Sequence, residues 1–214
     1  MKTVSLLAFL LAFLFAFSIH SFAGHNTLSK EEKEAGFQLL FDGESLEGWE
    51  ATHENQWYVK DGELVADGPK GRGMLYYSGK VGNHSFTEFE LRMQVHVHKG
   101  ANSGIYFLTK PAGLKYPDAV GYEAQIAINH KNKNKTGSLY KIATLSTSPV
   151  KEEEWFDYVI RVEGSVISTI LNGKVAVKHD TATGAKKEHG DRLGLQCHDP
   201  EIVKFRKIRI KLLK

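Results

Sequence analysis

The sequence predicts an all-β domain in which two sheets pack face to face. After a short polar lead, nearly every segment alternates apolar and polar side chains with a period of two, which is typical of strands with one buried face. Turn-forming pairs such as Asp61-Gly62 keep these segments short. Only residues 29–34 look helical, and no later stretch holds a helical pattern for three turns. Many short strands joined by tight turns imply a single β-sandwich domain.

Two segments show the alternation most clearly. Every second side chain of residues 89–97 is apolar, and residues 156–162 repeat the pattern. A third strand, 166–171, runs directly into Asn172-Gly173, the strongest two-residue hairpin signal. The sequence therefore predicts an antiparallel hairpin at this point.

In the last strand, the apolar side chains change from odd-numbered to even-numbered positions. Val203 and Phe205 belong to one face, whereas Ile208 and Ile210 fall on the other unless an extra residue intervenes. This change predicts a β-bulge near residues 206–207.

The N-terminus resembles a secretory signal peptide. Residues 1–23 combine a basic start, an apolar run over 4–19 and small residues at the end of the segment. A transmembrane anchor is the weaker alternative, because the run is shorter than the ~20 residues of a bilayer span. We expect a polar lead over 24–36, one domain over 37–214, and a secreted or periplasmic protein without a membrane span.

Composition and charge exclude several classes of protein. Of the 214 residues, 42% are hydrophobic and 25% are charged, which excludes a disordered chain. Lys plus Arg (28) nearly balances Asp plus Glu (25), so no nucleic-acid partner is predicted. Cys197 is the only cysteine and cannot form an internal disulfide, and alternation places it in the core. No cofactor is predicted, and the sequence leaves the oligomeric state open.

His96 and His98 lie two residues apart and therefore share one face of a strand. Two imidazoles in this arrangement are half of a metal site, but the sequence indicates no third ligand. We therefore predict no metal from the sequence.

Two strands present paired polar side chains on the face opposite their apolar residues. Glu123 and Gln125 share a face in one strand, and Gln196 and His198 share a face in another. Asn102 lies in a third segment, between glycines that permit close approach to the backbone. Each pair alone is also expected of a strand whose outer face meets water. Together the groups suggest a hydrogen-bonding pocket for a polyol.

Aromatic side chains have two possible roles here. They can stack on a sugar ring, or they can belong to the core, which is the commoner role. The candidates are Trp49, Trp57, Tyr76, Tyr77 and Trp155.

Several familiar chemistries are missing from the sequence. It has no nucleophile elbow, phosphate loop, dinucleotide fingerprint or zinc-protease helix. Glu123 is followed two residues later by Gln125 and not by a second carboxylate. Glycoside hydrolysis by two carboxylates is therefore poorly supported.

Nine motifs, in order along the chain, resemble the 3-keto-disaccharide hydrolase domain family. They lie at residues 41–49, 57–64, 89–92, 101–107, 121–126, 136–140, 171–173, 195–198 and 205–210. The resemblance implies a concanavalin A-like lectin/glucanase sandwich, or jelly roll. It also implies cleavage of the glycosidic bonds of 3-keto sugars by deprotonation at carbon 2, elimination and hydration. The alternative is a carbohydrate-binding module that lacks the chemistry.

The resemblance also implies roles for individual residues. His198 or Glu123 would be the base, with the other as acid or orienting group. The implied substrate-binding residues are Asn102, Gln125, Tyr140 and Gln196. Leu108 stands where many relatives carry arginine, which implies that a cationic group near the substrate is missing.

Overall fold

The structure, a computed structural model, describes residues 26–113, 116, 120–198 and 202–213. The signal peptide predicted over residues 1–23 lies outside the described residues. Among the helices of the described part, none has the length and apolar character needed to cross a bilayer.

The described residues form one α-helix, thirteen strands and two short 3₁₀ turns. They are α1 (Lys30–Glu34), β1 (Gln38–Leu39), β2 (Trp49–Ala51), β3 (Trp57–Lys60), β4 (Glu63–Asp67), β5 (Gly73–Tyr77), β6 (Phe89–Val97), β7 (Asn102–Thr109), β8 (Tyr122–Ala127), β9 (Trp155–Glu163), β10 (Val166–Leu171), β11 (Lys174–Asp180), β12 (Arg192–Cys197) and β13 (Ile202–Leu212), with 3₁₀ turns at Gly68–Lys70 and Val81–His84.

The strands form two antiparallel sheets, so the predicted all-β sandwich is confirmed. The larger sheet has the order β11-β10-β9-β6-β13-β4-β3, with β1 paired to β13. The smaller sheet has the order β2-β5-β12-β7-β8. Seven of the eleven strand pairs join strands that are not consecutive in sequence, so most pairs connect distant parts of the chain. The smaller sheet carries the candidate site.

The core lies between the sheets and contains many aromatic rings. Phe89 of β6 packs edge-on against Phe107 of β7, with ring centroids 6.2 Å apart. Phe107 in turn stacks on Tyr122 of β8 at 5.8 Å. As predicted, the alternating apolar side chains of 89–97 and 156–162 are buried in this core. These contacts fix the inner face of β7 and β8, and hence which of their side chains point outward.

The predicted hairpin and bulge are both present. Asn172 and Gly173 join β10 to β11 with φ angles of 46° and 75°, the left-handed conformation of a type I′ turn. The register of β13 against β6 shifts between Arg206 and Arg209, and Lys207 has a φ of 53°. The shift restores Ile208 and Ile210 to the core. The sequence prediction of a bulge is therefore confirmed.

The polar lead packs on the domain through α1. Ser29 caps the helix, because its hydroxyl accepts from the Glu32 N–H while the Glu32 carboxylate accepts from the Ser29 N–H. Arg209 Nε donates to Glu32 Oε1 at 2.5 Å. Partial burial raises the pKa of Glu32, but hydrogen bonds from Ser29 and Arg209, with the charges of Arg209 and Arg92, outweigh it and lower the pKa. Glu32 therefore ties the lead to β6 and β13.

Glu32→Gln should destabilise the protein by about 1 to 2 kcal/mol at neutral pH, because it removes a charged hydrogen-bond acceptor in a partly buried pair. The lowered pKa means that this stabilisation is present when the carboxylate is ionised and is lost as pH falls through that pKa. Urea unfolding of wild type and variant checks this. Equal urea midpoints of wild type and variant at neutral pH would contradict this prediction. A difference between the two midpoints that persists in strong acid would contradict it as well.

Candidate functional site

A cleft of about 460 Å³ lies on the outer face of the smaller sheet. A volume of this size is typical of small-ligand sites. All six residues singled out in the sequence line it: Asn102, Glu123, Gln125, Tyr140, Gln196 and His198. Six further residues complete the lining: Arg72, Tyr106, Tyr116, His130, Lys131 and Asn132. The structure thus brings together side chains from β7, β8, β12 and the adjoining loops.

Strand β8 directs two of these side chains into the cleft, because its opposite face packs in the core. Tyr122, Ala124 and Ile126 are buried between the sheets, so Glu123 and Gln125 must point outward, as alternation predicted. These two side chains are nevertheless only 6% and 0% exposed. A solvated outer face is therefore ruled out for them, and the burial of a carboxylate and an amide needs specific partners.

The segment 136–140 covers the outer edge of β8. Gln125 N donates to Ser138 O at 2.9 Å, and Tyr140 N donates to Glu123 O at 2.9 Å. The segment therefore runs beside β8 like an additional short strand. This pairing covers the edge of β8 and brings the Tyr140 side chain to the cleft.

The Glu123 carboxylate belongs to a chain of hydrogen bonds across three strands. Gln196 Nε2 on β12 donates to Tyr106 Oη on β7 at 3.3 Å. The Tyr106 hydroxyl donates in turn to Glu123 Oε2 at 3.0 Å. This chain of hydrogen bonds therefore connects β12, β7 and β8 on the outer face of the smaller sheet.

Gly104 provides the space for this carboxylate. It lies on β7 opposite Gln125, and a Cβ atom at this position would come within 2.8 Å of Glu123 Cγ and 2.9 Å of its carboxyl carbon. Such distances are too short for carbon atoms, so glycine is required while Glu123 keeps this position. The sequence predicts that the glycines let a ligand approach the backbone, whereas in the structure Gly104 leaves room for the Glu123 side chain.

Gln125 and Asn102 form a second pair in the cleft. Gln125 Nε2 donates to Asn102 Oδ1 at 2.8 Å and to the Ser103 carbonyl at 3.0 Å. Among the described residues, neither Gln125 Oε1 nor Gln196 Oε1 has a hydrogen-bond partner, although both atoms are buried. Leaving such acceptors unpaired costs about 1–3 kcal/mol each. The lining of the cleft is therefore short of hydrogen-bond donors, which a ligand rich in hydroxyl groups can supply.

His198 follows β12 and stands between two rings. Its imidazole stacks on Tyr116, with centroids 6.2 Å apart, and meets His130 edge-on at 6.1 Å. The Tyr116 hydroxyl donates to the Cys197 carbonyl at 2.7 Å, which holds the tyrosine beside the end of β12. His198 is half-buried, in contrast to the buried Glu123. The buried Cys197 confirms that this thiol belongs to the packing.

Cationic side chains line the cleft. The expectation, drawn from Leu108, that a cationic group is missing there is therefore wrong. Leu108 is buried, and its φ of 49° marks a bulge in β7 that turns its side chain into the core. Positive charge comes instead from Arg72, just before β5, and from Lys131, in the loop after β8. Sequence reasoning missed both because no local pattern ties these positions to β8.

The aromatic candidates divide between three places. The core contains Trp49, Trp57 and Tyr77. Trp155 lies on the outer face of the larger sheet, where Arg206 covers its ring at 3.9 Å. Tyr76 packs with Tyr106 beneath the cleft, and burial raises the pKa of its hydroxyl. None of these five lines the cleft, where Tyr106, Tyr116 and Tyr140 provide the rings instead.

The fold is a concanavalin A-like β-sandwich with a polar cleft on its smaller sheet. The sequence of this chain matches the 3-keto-alpha-glucoside-1,2-lyase-like domain over residues 36–211. The chain belongs to this family, as its motifs predicted.

Individual relatives agree with this assignment. A curated 3-keto-disaccharide hydrolase of Bacteroides thetaiotaomicron is 32% identical over 89 residues, which cover 39% of this chain and 31% of that protein. The match thus spans less than a third of that relative.

Solved structures share the fold. A protein of Parabacteroides distasonis, provisionally described as a glycosyl hydrolase, has a TM-score of 0.74 at 22% identity and covers 88% of this chain and 99% of its own. A carbohydrate-binding module of Bacillus subtilis has a TM-score of 0.53 at 15% identity, covering 76% of this chain and 94% of its own.

Proposed function

We propose that the protein cleaves the glycosidic bond of 3-keto glycosides in the cleft of the smaller sheet. Membership of the family suggests this substrate class. The observation that carries the proposal is the convergence of the Glu123 carboxylate, the His198 imidazole and four polar side chains on one cleft. A polyol with a reactive carbonyl suits such a site better than an apolar ligand does.

A ketone at carbon 3 changes the chemistry that cleavage requires. It acidifies the hydrogen on carbon 2, so a base can remove that proton and form an enediolate. The electron pair then expels the glycosidic oxygen from carbon 1, and this oxygen takes up a proton. Water adds to the resulting enone, with hydroxyl at carbon 1 and a proton at carbon 2. One base, one acid and donors for the enediolate suffice, so the second carboxylate of ordinary glycosidases is not needed.

Glu123 is the base in this proposal. It is more deeply buried than His198, and its carboxylate accepts a hydrogen bond from Tyr106. His198 is the acid that protonates the leaving oxygen. His198 is more exposed than Glu123. This position suits the acid, because the aglycone must extend from the bound sugar towards solvent. This assignment chooses between the two alternatives that the sequence left open.

The enediolate oxygens need donors that are already in place. Arg72 and Lys131 supply positive charge, and the Asn102 amide and the Tyr140 hydroxyl supply neutral donors. Groups of this kind stabilise developing negative charge most strongly when the bound substrate excludes water. Hydroxyl groups of the sugar would in turn donate to the unpaired oxygens of Gln125 and Gln196 after a small rotation of either amide.

Incubation with a chromogenic 3-keto glucoside tests the proposal. We expect the protein to release the aglycone faster than a buffer blank does, and to leave the same glucoside intact when it is not oxidised at carbon 3. Binding of the keto sugar without release would favour the carbohydrate-binding module. Equal release from both glucosides would contradict the proposed role of the ketone.

A further inference from the structure

We propose a second site, a divalent transition-metal site of the zinc type formed by His96, His98 and Glu153. The potential ligand atoms of the three side chains all lie within 4.8 Å of one another. The site is on the larger sheet, whereas the cleft is on the smaller one. It does not depend on the proposed function.

Two ligands come from the end of β6. His96 points outward because Val95 and Val97 point into the core. His98 follows the strand, and its backbone N–H donates to the Ile202 carbonyl at 3.1 Å. The two rings lie 5.4 Å apart by their centroids.

The third ligand arrives from the segment before β9. In the antiparallel pairing of β6 and β9, His96 lies opposite Trp155, so Glu153 comes back beside the end of β6. Glu153 N donates to the Val97 carbonyl at 2.9 Å, and the residue has a φ of 60°. Lys99 N donates to Glu153 Oε1 at 2.8 Å, which fixes the direction of the carboxylate. An oriented carboxylate is what metal ligation requires.

One ring nitrogen of His96 has no hydrogen-bond partner among the described residues. This atom, Nδ1, is buried. The indole of Trp155 packs 5.4 Å from the imidazole, and Arg206 stacks on that indole, so the ring is confined. An unpaired buried nitrogen costs about 1–3 kcal/mol, which a bound cation would offset.

The charges around the site also suit a cation. The Glu153 carboxylate gives the group of three ligands one negative charge. Lys204 lies opposite His96 on β13, but its ammonium is 3.0 Å from Glu63. The Lys204 ammonium therefore already has a carboxylate partner.

The donor set indicates the kind of metal. Two imidazoles and one carboxylate suit Zn²⁺ and neighbouring transition metals, whereas Mg²⁺ and Ca²⁺ prefer oxygen ligands alone. Such an ion would tie the segment before β9 to the end of β6. Because it binds only the folded chain, it would raise the unfolding temperature.

Titration of chelator-treated, tag-free protein with ZnCl₂ tests this site. We expect one zinc per chain by calorimetry and a higher unfolding temperature with zinc than without it. Glu153→Gln and His98→Gln should each weaken binding at least tenfold. Glu154→Gln is the matched control, since Glu154 is the exposed neighbour that pairs with Lys151.

A variant in the cleft distinguishes zinc binding at the proposed metal site from zinc binding in the cleft. His198→Gln should bind zinc as wild type does, because His198 lies on the other sheet. No zinc binding by wild type, or unchanged affinity in both Glu153→Gln and His98→Gln, would overturn the proposal. Loss of zinc in His198→Gln alone would place the metal in the cleft and overturn it equally. Circular dichroism of each variant checks that it is folded.

Discussion

Glu123→Gln should lower kcat/KM on a 3-keto glucoside by about 10²- to 10⁴-fold, which is the usual contribution of a well-placed base. The unfolding temperature should hardly change, because glutamine has the same shape and its oxygen can still accept from Tyr106. Initial rates of aglycone release, with thermal unfolding of the same samples, measure both quantities.

A second variant distinguishes the base from the acid. His198→Ala should be as inactive as Glu123→Gln on an alkyl 3-keto glucoside. It should recover most of its activity on a nitrophenyl glycoside, whose leaving group needs no proton. Glu123→Gln should show no such recovery, because carbon 2 must still be deprotonated. Activity close to wild type in both variants would refute the assignment, and recovery in Glu123→Gln alone would reverse the two roles.

Gly104→Ala should both destabilise the protein and inactivate it, although residue 104 carries no functional group. The added Cβ would collide with the Glu123 side chain, and overpacking of this kind costs about 1–3 kcal/mol. To relieve the collision the carboxylate must move away from Tyr106, so activity should fall by about 10²-fold or more, as misplacement by about 1 Å does elsewhere. Urea unfolding and initial rates check the two effects.

A double variant shows whether the collision is the cause. Glu123→Ala removes Cγ and the carboxyl group, which are the atoms that an alanine at position 104 would meet. Gly104→Ala combined with Glu123→Ala should therefore lose less stability than the sum of the two single losses, while the double variant stays inactive. Additive losses of stability in the double variant would show that alanine is rejected for another reason.

The alternation of apolar and polar residues predicted that Glu123 and Gln125 share one face of their strand, but not that both side chains are buried. Glu123 and Gln125 share a face because Tyr122 and Ala124 are held in the core, a relation that the sequence displays. The edge of β8 is covered by the segment 136–140, which pairs with it through backbone hydrogen bonds. Backbone pairing of this kind leaves no pattern in the side chains, so the sequence could not reveal it.

The other residues differ in whether their positions could be predicted from the sequence. Tyr106 is four residues after Asn102 on β7, so the same rule of alternation predicts that they share a face. Arg72 and His130 lie outside the strands, where no period constrains them. The third metal ligand, Glu153, depends on the register of β9 against β6, which only the fold establishes.

Cleavage in D₂O, followed by proton NMR of the released sugar, tests the central claim most directly. If the cleft acts by removing the proton from carbon 2, the product formed at early times carries deuterium at carbon 2, above the level in a buffer blank. Glu123→Gln should form neither product nor deuterated substrate beyond that blank. Product that keeps its original hydrogen at carbon 2 would show direct displacement at carbon 1 and contradict the proposed chemistry.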